Sequence, residues 1–226
     1  MSEVRISVGT LCAFAAIAFV VACVAHEAIG HGGACLVSDG QVTLVTSVYS
    51  RCSHSLPFID AAGPAMNLAF ATGAALALRW KHTPPSAIVF LALVLAFNGF
   101  WGAGYFIFSG VSDTGDWAFV LRNLALEPRW IWRAAMVVVG VRLYGFTMRL
   151  VAPRLPTGSP LFLAYLAAAL VVCASTLFFL GPKLPALREA AQESLAAIGL
   201  VYRAFRRRAP VRSPATPIGS PRRQYV

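Results

Sequence analysis

The chain has 226 residues, of which 58% are hydrophobic and 12% charged, with 19 Lys and Arg against 9 Asp and Glu. Soluble domains are about 45–50% apolar and about 25% charged, so this composition excludes a soluble enzyme, a disordered regulator and a secreted disulfide scaffold. We therefore expect an all-α integral membrane protein. Much of the basic surplus lies in residues 181–226, which indicates binding to an anionic lipid surface. No aromatic–basic platform for nucleic acid accompanies it, so we expect no nucleic-acid partner.

Five apolar runs are each long enough for a membrane helix, which needs about 20 residues: 6–31, 58–80, 86–109, 130–151 and 160–181. The first run is too long for a signal peptide and ends in His and Glu, so we expect it to be retained. Residues 110–128 are too polar to assign, which leaves five transmembrane helices, or six if this segment crosses. Between the first two helices, residues 41–50 are rich in β-branched side chains and predict a short β-hairpin.

The C-terminal part divides into three segments. Residues 129–182 supply additional transmembrane helices, and residues 183–208 have the pattern of an amphipathic helix lying on the membrane. Residues 209–226 mix Pro with Ser and Arg, which predicts a disordered tail. We expect residues 183–226 to be cytoplasmic, because basic segments favour that side. The Ala-, Arg- and Pro-rich composition favours a bacterial inner membrane.

Three ionisable residues, His26, Glu27 and His31, lie within six positions at the end of the first apolar run. Such residues are costly inside a membrane and therefore indicate function. Zinc binds imidazole and carboxylate ligands, and in the motif H-E-x-x-H the Glu acts as general base. Here the spacing is H-E-x-x-x-H. Positions five apart on a regular α-helix lie about 140° apart around the axis, so the two histidines could not hold one ion there.

Two local structures would bring His26 and His31 together. One is a π-bulge, which adds a residue to a turn. The other is a helix that ends at Gly30, after which His31 turns back on a non-helical backbone. If the helix stays regular, Glu27 and His31 share a face instead, which favours an ion- or proton-coupled transporter.

Polar residues in the second and third apolar runs adjoin these histidines through the connectivity of the chain. Gly63 and Pro64 permit close helix approach, and Asn67 is positioned to donate a hydrogen bond to a polarised carbonyl. The third run ends in Asp113 and Asp116, which are candidates for a third metal ligand. We favour Asp116, because it lies closer to an apolar run, and keep Asp113 as the alternative or as a helix N-cap.

These motifs resemble those of the site-2 protease class of intramembrane zinc metalloproteases over about residues 20–120. The resemblance implies a three-helix metalloprotease-like core in residues 1–128, Zn²⁺ as cofactor and transmembrane proteins as substrates. It implies zinc ligation by His26, His31 and one Asp, and activation of water by Glu27. It also implies that the strand at 41–50 pairs with an unwound substrate. The corresponding motifs here are His26-Glu27 with His31, Gly63-Pro64 with Asn67, and Asp113 or Asp116 around Gly115.

The chain departs from the class in its longer His spacing and in reading Asp-Thr-Gly-Asp where the class has Leu-Asp-Gly. An inactive homologue is therefore one alternative to a protease, beside the transporter and a membrane-anchored adaptor. The side of the membrane that the site faces depends on the helix count. Six helices with a cytoplasmic C-terminus put the site outside, where Cys35 and Cys52 could form a disulfide. Five helices put it in the cytoplasm, as the resemblance implies.

Overall fold

The computed structural model describes residues 6–206, beginning with one long helical rod and a hairpin. The rod consists of α1 (Val8–Cys23), a π-helix (Val24–Gly32) and α2 (Gly33–Val37), which follow one another without a break. The strands β1 (Val42–Val45) and β2 (Ser50–Cys52) pair in antiparallel fashion, which confirms the predicted hairpin.

Helices make up the rest of the described chain. They are α3 (Pro57–Ala77), α4 (Pro85–Ser112), α5 (Asp116–Asn123), α6 (Arg129–Val151), α7 (Ser159–Ser175), a 3₁₀ turn (Thr176–Phe178), α8 (Lys183–Ala196) and α9 (Gly199–Phe205). Four of the described helices are long and apolar enough to cross a membrane: Val8–Val37, Pro85–Ser112, Arg129–Val151 and Ser159–Phe178. The chain is thus a helical membrane protein by length and composition. α3 was also predicted to span and forms a helix of 21 residues, but it is not among these four.

α4 lies at the centre of the bundle, between α1, α3 and α6. Phe97 of α4 stacks on Phe19 of α1, with ring centroids 4.8 Å apart. Gly99 and Gly110 of α4 contact Thr147 and Val137 of α6, so small residues let these two antiparallel helices approach closely. The end of the bundle that carries the hairpin and α5 is called the hairpin end below, and the other end is called the loop end.

α8 and α9 follow the fourth apolar helix and lie along the bundle. Ser175, just before this segment, is hydrogen-bonded to Ser47 of the hairpin loop. Further along, Tyr144 donates to the carbonyl oxygen of Ala196, and the Gly158 N–H donates to Ala204 at the loop end. The segment Lys183–Phe205 therefore runs along the bundle from the hairpin end to the loop end.

The segment predicted as one amphipathic helix over 183–208 forms the two helices α8 and α9, each with a buried and an exposed face. The buried face carries Ala186, Ala190, Leu200 and Ala204. Glu189, Gln192 and Glu193 line cavities beside the bundle. The predicted disordered tail, residues 209–226, lies outside the described residues.

Candidate metal centre

A π-helix of nine residues carries the H-E-x-x-x-H motif. Its hydrogen bonds run from residue i to i+5, so residues five apart share a face. Of the two predicted routes that would join His26 and His31, the structure has the π-helical one. The Nε2 atoms of the two imidazoles lie 3.2 Å apart.

Asp116 completes a group of three. Its Oδ2 atom lies 3.1 Å from His26 Nε2 and 3.5 Å from His31 Nε2. The residue is the first of α5 and follows Gly115, whose φ of 81° makes the turn that brings the carboxylate under the π-helix. These three residues form a group that could hold a metal ion.

Hydrogen bonds fix the tautomer of both imidazoles. His26 Nδ1 lies 2.6 Å from Asn67 Oδ1, and His31 Nδ1 lies 2.7 Å from the carbonyl oxygen of Ile59. Both partners only accept, so each imidazole carries its proton on Nδ1 and presents the lone pair of Nε2 to the other ligands. Metal-binding histidines are oriented by outer hydrogen bonds of this kind.

The centre therefore brings three acceptor atoms together. Two imidazole lone pairs and a carboxylate oxygen repel one another unless a positive charge lies among them. The Asp116 Oδ2 atom is buried and makes no hydrogen bond with any described residue. A shared proton bridges two atoms, whereas a metal ion binds all three. Zinc bonds of about 2.0–2.2 Å at tetrahedral angles place ligand atoms about 3.3–3.6 Å apart, close to the separations found here.

Burial raises the pKa of the Asp116 carboxyl group, and protonated imidazoles at His26 and His31 lower it to about 2. A metal ion in the same place would likewise favour the ionised carboxylate that ligation requires.

Asp113, the alternative ligand, is placed elsewhere. Its carboxylate lies 3.7 Å from Arg122 Nη1 and 3.9 Å from Arg133 Nη1. It is not an N-cap either, because it ends α4 in the left-handed conformation with φ of 56°.

The Asn67 amide makes all of its hydrogen bonds within the protein. It is fully buried, and its Nδ2 group donates to the carbonyl oxygen of Ala22 and to Asn98 Oδ1, each at 3.0 Å. Its oxygen accepts from His26, so Asn67 orients that imidazole. Asn98 was missed by the sequence analysis, although a buried amide in an apolar run was a usable signal.

Close helix packing explains Gly30, Gly63 and Pro64. A Cβ atom at Gly30 would lie 2.7 Å from the Ala62 carbonyl oxygen and from Gly63 Cα. A Cβ atom at Gly63 would collide with His31 Nε2 and lie 2.8 Å from His26 Nε2. The two glycines thus let α3 reach the π-helix, and Pro64 is buried in α3 beside this contact.

A cavity of about 740 Å³ opens beside the three ligands, and Glu27 lines it with them. The side chain of Glu27 is 4% exposed, and none of residues 6–206 makes a hydrogen bond or ion pair with its carboxylate. The opposite wall comes from α8, through Arg188, Glu189 and Gln192. The sequence analysis missed this wall.

The hairpin forms another side of the same cavity and is covalently tied to the helical rod that carries His26 and His31. Ser50 and Cys52 of β2 line the cavity, and Cys52 forms a disulfide with Cys35 of α2. Gly40 packs against this disulfide, where a Cβ atom would come within 2.7 Å of the Cys35 sulfur.

No family model, curated protein or solved structure matches this chain. The fold and site define a helical membrane protein with a potential His26–His31–Asp116 metal centre.

Proposed function

We propose that this protein is a zinc-dependent intramembrane endopeptidase that hydrolyses peptide bonds of transmembrane protein substrates. The observation that carries the proposal is the convergence of three oriented acceptor atoms beside an unpartnered buried carboxylate, Glu27. The resemblance of the motifs to the site-2 protease class points to the same activity.

In this proposal His26, His31 and Asp116 would hold a zinc ion. Zinc in such a site supplies Lewis acidity toward the scissile carbonyl and the attacking water. Glu27 accepts the proton of that water and then delivers it to the leaving nitrogen, so the residue acts as general base and then general acid. The hairpin, which lines the cavity, is suited to pairing with an unwound stretch of substrate backbone.

The test compares purified wild-type protein with Glu27→Gln for metal content and for cleavage of solubilised membrane proteins, read as new N-termini by mass spectrometry. We expect about one zinc per chain in both proteins. Cleavage should fall by about 10²–10⁴-fold in the variant, because the general base is lost. The metal analysis also scores iron, which binds the same donor set.

Equal cleavage by Glu27→Gln would overturn the proposal. Folded wild-type protein without bound metal would overturn it as well and would favour the transporter or the inactive homologue.

The charge distribution supports an orientation with the site outside the cytoplasm. The described Lys and Arg side chains near helix ends are divided evenly between the two ends, but Arg206 lies at the loop end and is followed in the sequence by five further arginines. Basic residues near helix ends favour the cytoplasmic side. The loop end would then face the cytoplasm of a bacterial inner membrane, and the metal cavity the other side.

The Cys35–Cys52 disulfide supports the same orientation independently, because disulfides persist in oxidising compartments. A cytoplasmic Arg206 agrees with the predicted cytoplasmic tail. This orientation differs from the one that the class resemblance implies, in which the site faces the cytoplasm.

Labelling of intact cells with a membrane-impermeant maleimide tests the orientation. Ser55→Cys reports the hairpin end and Ser86→Cys the loop end, each in a chain whose three free cysteines are replaced by alanine. We expect Ser55→Cys to react in intact cells and Ser86→Cys only after permeabilisation. The reverse pattern would refute the orientation.

A further inference from the structure

A second cavity, of about 540 Å³, adjoins the catalytic one. The two cavities share the side chains of Tyr105, Phe108, Glu189 and Gln192. The remaining walls of the second cavity are mostly apolar and come from Gly104, Ile107, Leu195, Ala196 and Ile198. It is therefore a side chamber of the catalytic cavity, and it is called the side chamber below.

One carboxylate in the side chamber has no partner. Glu193 of α8 lines the chamber and is only 5% exposed. Its Oε2 atom is buried and makes no hydrogen bond with any described residue. The ionisable groups that act on it electrostatically are Glu27, Glu189, Asp116 and Cys173. Every one of these is acidic, and no described residue forms an ion pair with Glu193.

A buried carboxylate without a partner is costly, so Glu193 is protonated in the empty chamber and ionises when a cationic ligand supplies the missing partner. The partner that suits this chamber has two parts. Apolar walls favour a hydrocarbon stem, and the carboxylate at their edge favours a cationic head. Arginine and lysine side chains combine these parts, since their methylene stems lie on apolar surface while the charged group is hydrogen-bonded.

We propose that the side chamber binds an arginine or lysine side chain of the substrate, adjacent to the peptide bond held at the metal centre. Glu193 is the specificity-determining residue, and Glu189 adds negative potential at the boundary between the two cavities. The assignment of the bound side chain to a protease substrate rests on the proposed function. The affinity of the chamber for an alkyl cation is independent of the proposed function.

The first experiment measures binding without catalysis. Purified protein is stripped of metal with a chelator and titrated with n-butylguanidinium, and the neutral isostere n-butylurea serves as the reference. Binding is read from ligand-detected NMR and from the shift in melting temperature. We expect n-butylguanidinium to bind at least about tenfold more tightly than n-butylurea, because only the cation pairs with the carboxylate.

Glu193→Gln keeps the size of the side chain and removes its charge, so it should remove the preference for the cation. Glu127→Gln, at an exposed carboxylate before α6, is the matched control and should retain the preference. Equal binding of the two probes to wild-type protein, or an unchanged preference in Glu193→Gln, would overturn the proposal.

The second experiment separates this proposal from the proposed function. Two model transmembrane substrates that differ only by Arg or Leu beside the scissile bond are mixed and digested together. Wild-type protein should cleave the Arg substrate at least about tenfold faster, and Glu193→Gln should lose that ratio. Cleavage without a preference for the Arg substrate would refute the proposal for the side chamber but not the proposed protease activity. Glu193-dependent binding of n-butylguanidinium without any cleavage would support the side chamber and refute the protease activity.

Discussion

Two walls of the cavity beside the candidate metal centre are built in different ways. The ligand wall consists of the π-helix and the first turns of α3 and α5, and its imidazoles are fixed by hydrogen bonds to Asn67 and Ile59. The α8 wall consists of Arg188, Glu189 and Gln192, and it continues through Glu193 into the side chamber. Gln192 donates to Glu189 within the same helix, and Glu193 has no partner among the described residues. The first wall is preorganised, whereas the second leaves polar groups for a ligand to satisfy.

This difference suggests that one wall binds the metal ion and the other recognises the substrate. A metal centre requires ligands held in place before the metal arrives, with outer hydrogen bonds that fix their orientation. Recognition of a substrate uses groups that gain partners only on binding. Substitutions in the ligand wall should therefore affect metal content and every substrate alike, and substitutions in the α8 wall should change selectivity at constant metal content.

The largest expected effect is that of His31→Ala on bound zinc. Loss of one of three protein ligands should reduce zinc from about one per chain to less than about a tenth of that, as measured by inductively coupled plasma mass spectrometry. His82→Ala removes an exposed histidine from the turn before α4 and should leave zinc unchanged. Equal zinc in the two variants would exclude His31 as a ligand.

Gly63→Ala should have an almost equal effect without removing any ligand atom. The added methyl group would lie against both Nε2 atoms, in the space that the metal requires, so we expect most of the zinc to be lost. Gly73→Ala is the matched control in the same helix, because a Cβ atom there meets nothing within 4 Å. It should retain zinc and melt at the same temperature or higher, since alanine favours a helix by up to about 1 kcal/mol. Full zinc in Gly63→Ala would contradict the packing argument.

The sequence predicted the chemical groups of the site better than their roles. The angle between positions five apart showed that His26 and His31 need a π-bulge or a chain reversal, and the structure has a π-helix. Asp116 was favoured over Asp113 for its position, and it is the carboxylate that lies beside the histidines. Local geometry and connectivity were sufficient for these inferences.

The roles of Asn67 and α8 could not be predicted, because both depend on tertiary neighbours. Asn67 is satisfied by Ala22 and Asn98, residues that are 45 and 31 positions away in the chain. The amphipathic pattern of α8 showed that one face is polar. It did not show whether that face meets water, headgroups or an internal cavity, since the periodicity is the same for all three.

Asn67→Leu should weaken zinc binding by about 10–100-fold, because His26 loses the acceptor that orients it. Competition with a chromophoric chelator measures this affinity. Asn98→Leu removes a partner of Asn67 but leaves the hydrogen bond to His26, so its effect should be smaller. If Asn67 instead supported a substrate carbonyl, Asn67→Leu would reduce cleavage at unchanged zinc affinity.

The smallest effect is expected from Glu189→Gln in the α8 wall. Glu189 is only partly buried and already accepts a hydrogen bond from Gln192, so its charge is better screened than that of Glu193. Partly solvated charges contribute up to about 1 kcal/mol, which corresponds to about fivefold or less in the ratio of Arg to Leu substrate cleavage. The paired digestion measures this ratio, and zinc content should stay that of wild type. If Glu189→Gln reduced the Arg-to-Leu cleavage ratio more than Glu193→Gln does, the cation would be recognised at the boundary between the cavities and not in the side chamber. A loss of zinc would show that the α8 wall also supports the metal centre, and the division between the two walls would then be wrong.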